Sequence, residues 1–531
     1  MEGFLLSQIN SKNLVKKSKL TMLIVLLLGL YTGSAQELHI ASGGTVYVSS
    51  GDALYVDNNV GINAAGNLTI SSNASSSGSL LVTGSVTGNI SYIRYIPDTN
   101  WHLVAPPVTN QSIPTFVSDA GNSITTNGGN GNFAVAYYNN ANSAGERWTY
   151  HNATPSAANQ ETLTNFVNGQ GYSMNRTSAG AFTFTGSMTT LDVGVALTTS
   201  SGGHYWSSIG NPYPSFLPAN DNAAGTNVLG QNINILDPSF AGLYFWNGSA
   251  YEVINQTSAA LHFSPGQAFM VRAKDESELF TFTESLQSHQ SGTDNFYRNE
   301  NSTPNIVVHV SNGSQQKRTE IKYLSNATTG LDVGYDAGTY ENNTPSFSID
   351  THLVTDSEGI NFMLQCLPDN NYETMVIPLA IRANANTPLT FDVVASNLPQ
   401  GIDVYLEDKE ANIIEKISEN PYEVTLDEAL TGIGRFYLHT SSTALSIDDV
   451  ASLEFINMYK TNNTTLRITG LESHSISRIR LYDITGKEVM NHKFISQNVK
   501  DISLPAHLAT GIYIATLVSN SSTMTKKIII E

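Results

Sequence analysis

Aromatic side chains are the residues of this chain whose chemistry points to a binding site. All four tryptophans fall within one stretch of the sequence, together with several tyrosines: Trp101, Trp148, Trp206 and Trp246, with Tyr137, Tyr138 and Tyr213. Flat aromatic rings stack on the apolar faces of sugars, and nearby Asn and Asp side chains can hold the sugar hydroxyls. The sequence therefore predicts a glycan-binding platform whose members are Trp101, Trp148, Trp206, Tyr213 and Trp246. The alternative is that these rings fill a sandwich core, although we expect Trp148 to be exposed because it follows Glu146 and Arg147.

A polysaccharide-acting enzyme is the second use to which the same region could be put. A lyase needs a base that removes a proton next to a carboxylate and a cation that stabilises the resulting anion. The candidates for these two roles are His102, His204 and His262, with Tyr205 or Arg272. Asp119 and Glu146 could instead serve as glycosidase carboxylates, whose separation would define the mechanism.

Local catalytic motifs are missing from the sequence. It contains no H-E-x-x-H zinc motif, no G-x-S-x-G elbow, no P-loop and no EF-hand loop. We therefore assign no catalytic residue, no metal ligand and no cofactor, and expect a protein without enzymatic activity. Because residues from distant strands can still form an active site, a lyase or glycoside hydrolase site within 97–298 stays open as the alternative.

The C-terminal end consists of short strand patterns closed by turns. The segments TLRITGL, IRLYDITGKEV, LATGIYIATLV and TKKIIIE follow one another from Thr465 to Glu531. Along the third segment, Ile512, Ile514 and Val518 alternate with Tyr513, Ala515 and Leu517, as in a strand with two unlike faces. This order of motifs resembles the type A C-terminal sorting domain of the type IX secretion system of Bacteroidetes. The resemblance implies an immunoglobulin-like β-sandwich with a sorting signal at Gly486, Lys487, Gly511, Tyr513, Lys526 and Lys527.

The same resemblance implies a destination and partners. The type IX machinery would recognise the sorting domain and carry the protein across the outer membrane to the cell surface or the extracellular space. Removal of the domain and attachment of the body to surface lipopolysaccharide would follow. The body itself resembles flavobacterial multi-domain surface proteins of unassigned activity.

The N-terminal end predicts a signal peptide over residues 1–35. Four lysines precede the apolar run Met22–Leu30, and the small residues Gly33-Ser34-Ala35 predict cleavage after Ala35. The apolar run is shorter than the roughly 20 residues that a spanning helix needs, so a membrane anchor is the weaker alternative. We expect no transmembrane segment in the mature chain.

Composition narrows the function classes further. A formal net charge of −19 repels nucleic acid, and we exclude it as a partner. The single cysteine excludes an intramolecular disulfide. Low charge density, abundant small polar residues and recurrent alternating apolar segments are typical of an extracellular all-β protein.

The order of strand patterns predicts several β domains behind the signal peptide. We expect β-solenoid-like repeats at 36–96, an aromatic-rich β module at 97–298, a β-sandwich or jelly roll at 299–442, a linker and the start of the sorting domain at 443–464, and the sorting domain at 465–531. An ordinary β-meander is the alternative for 36–96. The sequence as a whole predicts a surface-displayed, non-enzymatic β protein that acts in adhesion or glycan binding.

Overall fold

The all-β prediction is confirmed by the structure. The computed structural model describes residues 34–35, 37–64, 66–198, 204–289, 303–340, 344–445, 456–471, 474–519 and 523–530. The α-helices in these residues, α1 (Ile113–Ser118) and α2 (Val228–Asn232), are only one to two turns long. Short 3₁₀ helices lie at Ala120–Asn122, Ile233–Ile235, Pro238–Phe240, Glu284–Leu286 and Tyr372–Thr374. In the part of the chain described, no helix has the length and apolar character needed to cross a membrane.

The first nine strands form stacked parallel sheets. They are β1 (Ser34–Ala35), β2 (Leu38–Ile40), β3 (Thr45–Val48), β4 (Ala53–Val56), β5 (Val60–Ile62), β6 (Asn67–Ser71), β7 (Ser79–Val82), β8 (Val86–Thr87) and β9 (Ile90–Ile96). Every third strand stacks in parallel, in the orders β1-β4-β7, β2-β5-β8 and β3-β6-β9. A meander would pair neighbouring strands antiparallel, so the solenoid-like prediction is confirmed and the meander is wrong.

Residues 1–33 and Gln36 lie outside the described residues, and with them most of the predicted signal peptide. Ser34 and Ala35 form β1, whose backbone pairs with Tyr55 and Val56 of β4. Cleavage after Ala35 would therefore remove β1 from its sheet, and the cleavage position stays a prediction.

The aromatic-rich region contributes the next fourteen strands. They are β10 (His102–Val104), β11 (Val135–Tyr138), β12 (Trp148–His151), β13 (Gln160–Glu161), β14 (Tyr172–Met174), β15 (Gly180–Gly186), β16 (Val193–Leu197), β17 (Trp206–Gly210), β18 (Leu217–Pro218), β19 (Leu243–Trp246), β20 (Tyr251–Ile254), β21 (His262–Phe263), β22 (Ala268–Arg272) and β23 (Glu278–Phe282). A five-stranded sheet has the order β10-β14-β11-β12-β13, and a four-stranded sheet has the order β17-β22-β19-β20. Strands β16 and β23 pair with each other, as do β18 and β21.

The hydrophobic core continues across residue 97, where the sequence predicts a domain boundary. Strand β15 pairs antiparallel with β9 along its whole length, so the aromatic-rich region extends a solenoid sheet. One buried cluster contains solenoid residues such as Leu68 and Tyr92 together with Phe116 and Phe184. The aromatic-rich region therefore caps the solenoid. The predicted boundary between two domains at residue 97 remains a proposal.

The third region is a single hydrogen-bonded sheet folded into two layers. Its strands are β24 (Asn305–Ser311), β25 (Gln316–Leu324), β26 (Ala337–Gly338), β27 (Ser348–Thr351), β28 (Phe362–Pro368), β29 (Ile377–Ala383), β30 (Pro388–Ser396), β31 (Asp403–Asp408), β32 (Ile413–Glu415), β33 (Tyr422–Thr425) and β34 (Leu430–Ser441). Five strands separate β30 from β34 in hydrogen-bonding order, yet the rings of Phe391 and Phe436 lie 4.7 Å apart. The sheet therefore closes over a shared core, as a β-sandwich does.

The C-terminal strands form a separate two-sheet sandwich. They are β35 (Asn457–Asn462), β36 (Thr465–Thr469), β37 (Ile476–Asp483), β38 (Glu488–Ile495), β39 (Val499–Ser503), β40 (Gly511–Val518) and β41 (Thr523–Ile530). The antiparallel sheets β35-β36-β39 and β38-β37-β40-β41 enclose their own core. Tyr513, Ala515 and Leu517 of β40 are buried in it while Ile512 and Val518 are exposed, as the alternation predicts.

Candidate functional site

One face of the five-stranded sheet is lined with aromatic rings. Tyr138 lies opposite Trp148, and Tyr150 lies two residues further along β12, so the three side chains share one face. Leu103 lies on the same face, since its partner Ser173 also pairs with Ala136, which is opposite Tyr150. Trp101 extends the row, with its ring 5.9 Å from the ring of Tyr150 in an edge-on contact.

The other face of this sheet is the one that the core covers. Its side chains belong to the buried cluster shared with the solenoid: Val104, Val135, Tyr172 and Met174. The aromatic row therefore points away from that core, which leaves it free to contact something else.

The four-stranded sheet repeats this arrangement. Its pairing places Trp206 opposite Arg272 and Trp246 opposite Tyr251, and Tyr244 opposite Met270. The reverse face fills a second core with Ile209, Leu243, Phe245, Phe269 and Val271. The four-stranded sheet therefore also has an aromatic face, which lies opposite the face that packs in the second core.

The two aromatic faces meet in one layer, which we call the aromatic layer. Its members are Trp101, Tyr138, Trp148, Tyr150, Trp206, Tyr244, Trp246, Tyr251 and Tyr340. Tyr340 comes from the third region, and its ring lies 4.6 Å from Trp206 and 4.1 Å from Tyr251 of the four-stranded sheet. Its side chain also hydrogen-bonds to Tyr138 of the five-stranded sheet, so Tyr340 joins the two faces. All four tryptophans of the chain consequently lie in this layer.

The members of the layer differ in their exposure. Trp206 is 2% exposed and lies at its centre, whereas Trp101 is 38% exposed at one end. Trp148, which we expected to be exposed, is half-buried because its ring packs against Tyr138. Trp246 is also half-buried. These three tryptophans are more exposed than Trp206 and form the margin of the layer.

One residue of the predicted platform, Tyr213, and one further candidate tyrosine, Tyr137, lie elsewhere. Tyr213 is fully buried in the second core, and its hydroxyl is 2.8 Å from the carbonyl oxygens of both Leu191 and Phe282. Tyr137 points to the opposite face of β11, where its hydroxyl donates to Glu161 at 2.8 Å. Neither Tyr213 nor the central Trp206 presents a ring face to solvent in this structure.

Sequence reasoning missed four members of the layer, Tyr150, Tyr244, Tyr251 and Tyr340. Tyr150 could have been found from strand periodicity, because it follows Trp148 by two residues. Tyr251 could have been found from the hairpin, in which it pairs with Trp246. Tyr340 carries no local signal, since it belongs to a region distant in sequence.

A histidine lies beside the aromatic layer. The hydroxyl of Tyr138 is 2.7 Å from Nε2 of His204, which lies two residues before the start of β17. Burial, together with the positive charges of Arg147 and Arg272, lowers the pKa of His204 to about 4. His204 is therefore neutral at pH 7 and a weak base there, whereas efficient proton abstraction needs a pKa near the working pH.

The structure leaves the three candidate lyase histidines in different places. His102 belongs to the five-stranded sheet, where its Nε2 is 2.8 Å from Asp98. His262 is in the two-stranded sheet of β18 and β21. Arg272, the candidate charge neutraliser, already pairs with Asp237 at 3.0 Å and stacks on Phe240.

The two candidate glycosidase carboxylates each have a local structural partner. Asp119 accepts the backbone N–H of Gly121 and so caps the short helix that follows it. Glu146 accepts a hydrogen bond from the hydroxyl of Ser143 at 2.7 Å. Within the residues described, no group of three or more His, Cys, Asp or Glu side chains is arranged to hold a metal ion.

The residues of the predicted sorting signal lie in the C-terminal sandwich. The Asp483 carboxylate accepts the N–H groups of Thr485 and Lys487, which closes the turn containing Gly486. Gly511 begins β40, and Tyr513 donates its hydroxyl to the carbonyl of Ala509. Lys527 is exposed on β41, whereas Lys526 contacts the body.

Comparison with known families identifies the class of protein. Residues 460–531 match the secretion system C-terminal sorting domain, and this match coincides with the C-terminal sandwich. The chain is therefore a cargo protein of the type IX secretion system, exported across the outer membrane to the cell surface or the extracellular space.

A second match, over the body, identifies the family of the chain. Residues 8–439 match a domain of unknown function, DUF8693, and the chain belongs to that family. A search of curated proteins finds no match to the chain.

Proposed function

We propose that the exported protein acts in glycan binding or adhesion, and that it binds sugars at the margin of the aromatic layer. The observation that carries this proposal is the exposure of Trp101 and the partial exposure of Trp148 and Trp246 at the edge of a layer whose centre is buried. A buried centre fixes the orientation of the rings before a ligand arrives, which reduces the entropic cost of binding.

The surroundings of Trp148 suit a saccharide. Its ring packs edge-on against Tyr138 at 5.0 Å, which holds the ring plane in place. Arg147 lies beside Tyr138 in the same layer and is the cationic donor nearest in the chain to Trp148 that could hold a sugar hydroxyl. Aromatic stacking with a few polar contacts is the usual composition of a ligand site.

The protonation states of Tyr138 and His204 favour sugar binding over catalysis. Burial raises the pKa of Tyr138, and the pKa of its partner His204 is lowered to about 4. A neutral tyrosine beside a weakly basic histidine can hold a hydroxyl group but is a poor proton acceptor at pH 7. The lyase or glycoside hydrolase in 97–298 is therefore the less supported alternative. Attachment of the body to surface lipopolysaccharide, as the resemblance implies, is part of the same proposal.

Substituting the marginal tryptophans tests the proposal. We expect Trp148→Ala and Trp101→Ala each to weaken retention on the bound glycan by roughly tenfold or more, equivalent to about 1.4 kcal/mol, because each loses a stacking face. The full exported protein is screened on an array of algal, plant and bacterial polysaccharides, and retention of the variants is then compared.

Tyr47→Ala is the matched control, because Tyr47 is an aromatic side chain 61% exposed on the solenoid, outside the layer. It should leave retention unchanged. Undiminished retention in both tryptophan variants would contradict the proposal. New reducing ends or unsaturated products that disappear on substitution of His204 would instead support the enzyme.

A further inference from the structure

The body carries a surface that the sorting domain covers. This docking surface consists of Gly359, Ala380, Gly432, Ile433 and Gly434, of which the last three belong to β34. The residues that cover it are Tyr459, Arg467 and Val499, from three different strands of the sorting domain.

Because the glycines of the docking surface lack a Cβ, side chains of the sorting domain can contact the backbone of the body directly. A Cβ atom on Gly359 would collide with the ring of Tyr459, and one on Gly434 would collide with the side chain of Val499. Tyr459 is 4% exposed and shares a buried cluster with Ala380 and Ile433. The docking surface is therefore complementary in shape to the sorting domain.

Directional bonds reinforce this packing. Nη1 of Arg467 donates to the carbonyl of Thr431 at 2.7 Å, while its Nε and Nη2 hold the Asp501 carboxylate. Asn498 donates to the carbonyl of Gly434. A guanidinium fixed by a carboxylate has little freedom left, so these bonds define one orientation of the sorting domain.

Docking also covers part of the predicted sorting signal. Nζ of Lys526 donates to the carbonyl of Ser357 in the body, next to Asp356 and Glu358. Desolvation at this position lowers the pKa of Lys526. Its neighbour Lys527 points to the other face of β41 and is exposed.

The interface is incomplete on one side. A cavity of about 320 Å³ lies between the two parts, lined by Ser348 and Arg382 of the body and by Lys460 and Thr461 of the sorting domain. The sorting domain has its own closed core and does not share it with the body. It can therefore leave the docking surface without unfolding.

We propose that the body binds its own sorting domain at the docking surface, and that Lys526 is withheld from other partners until the sorting domain is released. The occupant is the C-terminal segment of this same chain. The body thus has a second binding surface, distinct from the aromatic layer.

A cysteine pair across the interface tests the docking. An ideal Cβ on Gly434 lies 3.7 Å from the Cβ of Val499, within the range of about 3.5–4.5 Å found in disulfides. In the full chain with G434C and V499C, and with a protease site inserted in 446–455, we expect the cleaved parts to stay linked until reductant is added. Each single cysteine variant controls for pairing with Cys366. Parts that separate without reductant, in a chain whose fold is intact by circular dichroism, would overturn the proposal.

Because Gly434 has φ +126°, a cysteine there is strained, and a second measurement avoids it. The full chain without the two introduced cysteines is acetylated briefly, and the modification of Lys526 and Lys527 is compared by mass spectrometry. We expect Lys526 to react at least several-fold more slowly than Lys527, because its contact with Ser357 shields Nζ from the reagent by more than its lowered pKa increases the free-amine fraction. Val499→Asp should remove this difference by expelling the sorting domain, whereas Val518→Asp, at an exposed valine on the other sheet of the sandwich, should keep it. Equal rates in the unaltered chain would overturn the proposal.

Discussion

Deleting Thr465–Glu531 is expected to abolish surface display and leave the protein in the periplasm. The deletion removes six of the seven strands of the sorting domain, including both sheets' central strands and every residue of the predicted sorting signal. The measurement is cell fractionation with surface labelling of intact cells, comparing the truncated chain with the full chain. Display should fall to the background of a periplasmic protein.

Two controls distinguish loss of the sorting signal from misfolding of the truncated protein. A deletion that begins at 446 removes β35 as well, so that β35 is not left without its partner strand β36. Conversely, residues 456–531 attached to a periplasmic reporter should carry it to the surface. Normal display of the truncated chain would contradict the sorting assignment.

Arg435→Met is expected to destabilise the third region by about 3–5 kcal/mol. Nε and Nη2 of Arg435 hold both oxygens of Asp408 at 3.0 and 2.8 Å, and the Asp408 side chain is only 1% exposed. Tyr422 and the N–H of Glu410 complete the shell of the carboxylate. Removing the guanidinium would leave a buried carboxylate without its countercharge. Urea unfolding of the full chain, followed by circular dichroism, measures the loss.

Arg318→Met is the matched control for that experiment. Arg318 lies on β25 of the same sheet, but its side chain is 57% exposed and its distance to Glu252 is 3.8 Å. Its loss should cost less than about 1 kcal/mol, because exposed ion pairs contribute little. The double variant Asp408→Asn with Arg435→Met should cost less than the two single changes added together, since the pair acts as a unit. Equal losses for Arg435→Met and Arg318→Met would show that burial of the pair has no effect.

Local patterns were sufficient to predict the all-β class, the short strands of the solenoid and the two faces of β40. The alternation in β40 correctly separated Tyr513 from Ile512, and short strands between small residues indicated the solenoid at 36–96. These features depend on a few neighbouring residues, where the pleat of a strand determines which side chains share a face.

Contacts between sheets could not be predicted in the same way. A periodic strand shows that it has an apolar face but does not specify which sheet covers it. The burial of Trp206 depends on Tyr340, which lies 134 residues further along the chain, as the two residue numbers show. The shared core across residue 97 and the docking of the sorting domain on Gly359 likewise arise from long-range packing.

The tryptophan fluorescence of the full chain tests the central claim most directly. All four tryptophans lie in the aromatic layer, so their emission reports on that layer and on no other part of the molecule. An oligosaccharide of the retained glycan is titrated into the protein while calorimetry measures binding independently. We predict a saturable change in emission whose midpoint agrees with the calorimetric Kd and which is diminished in Trp148→Ala. Calorimetric binding with unchanged emission would place the sugar elsewhere and contradict the account.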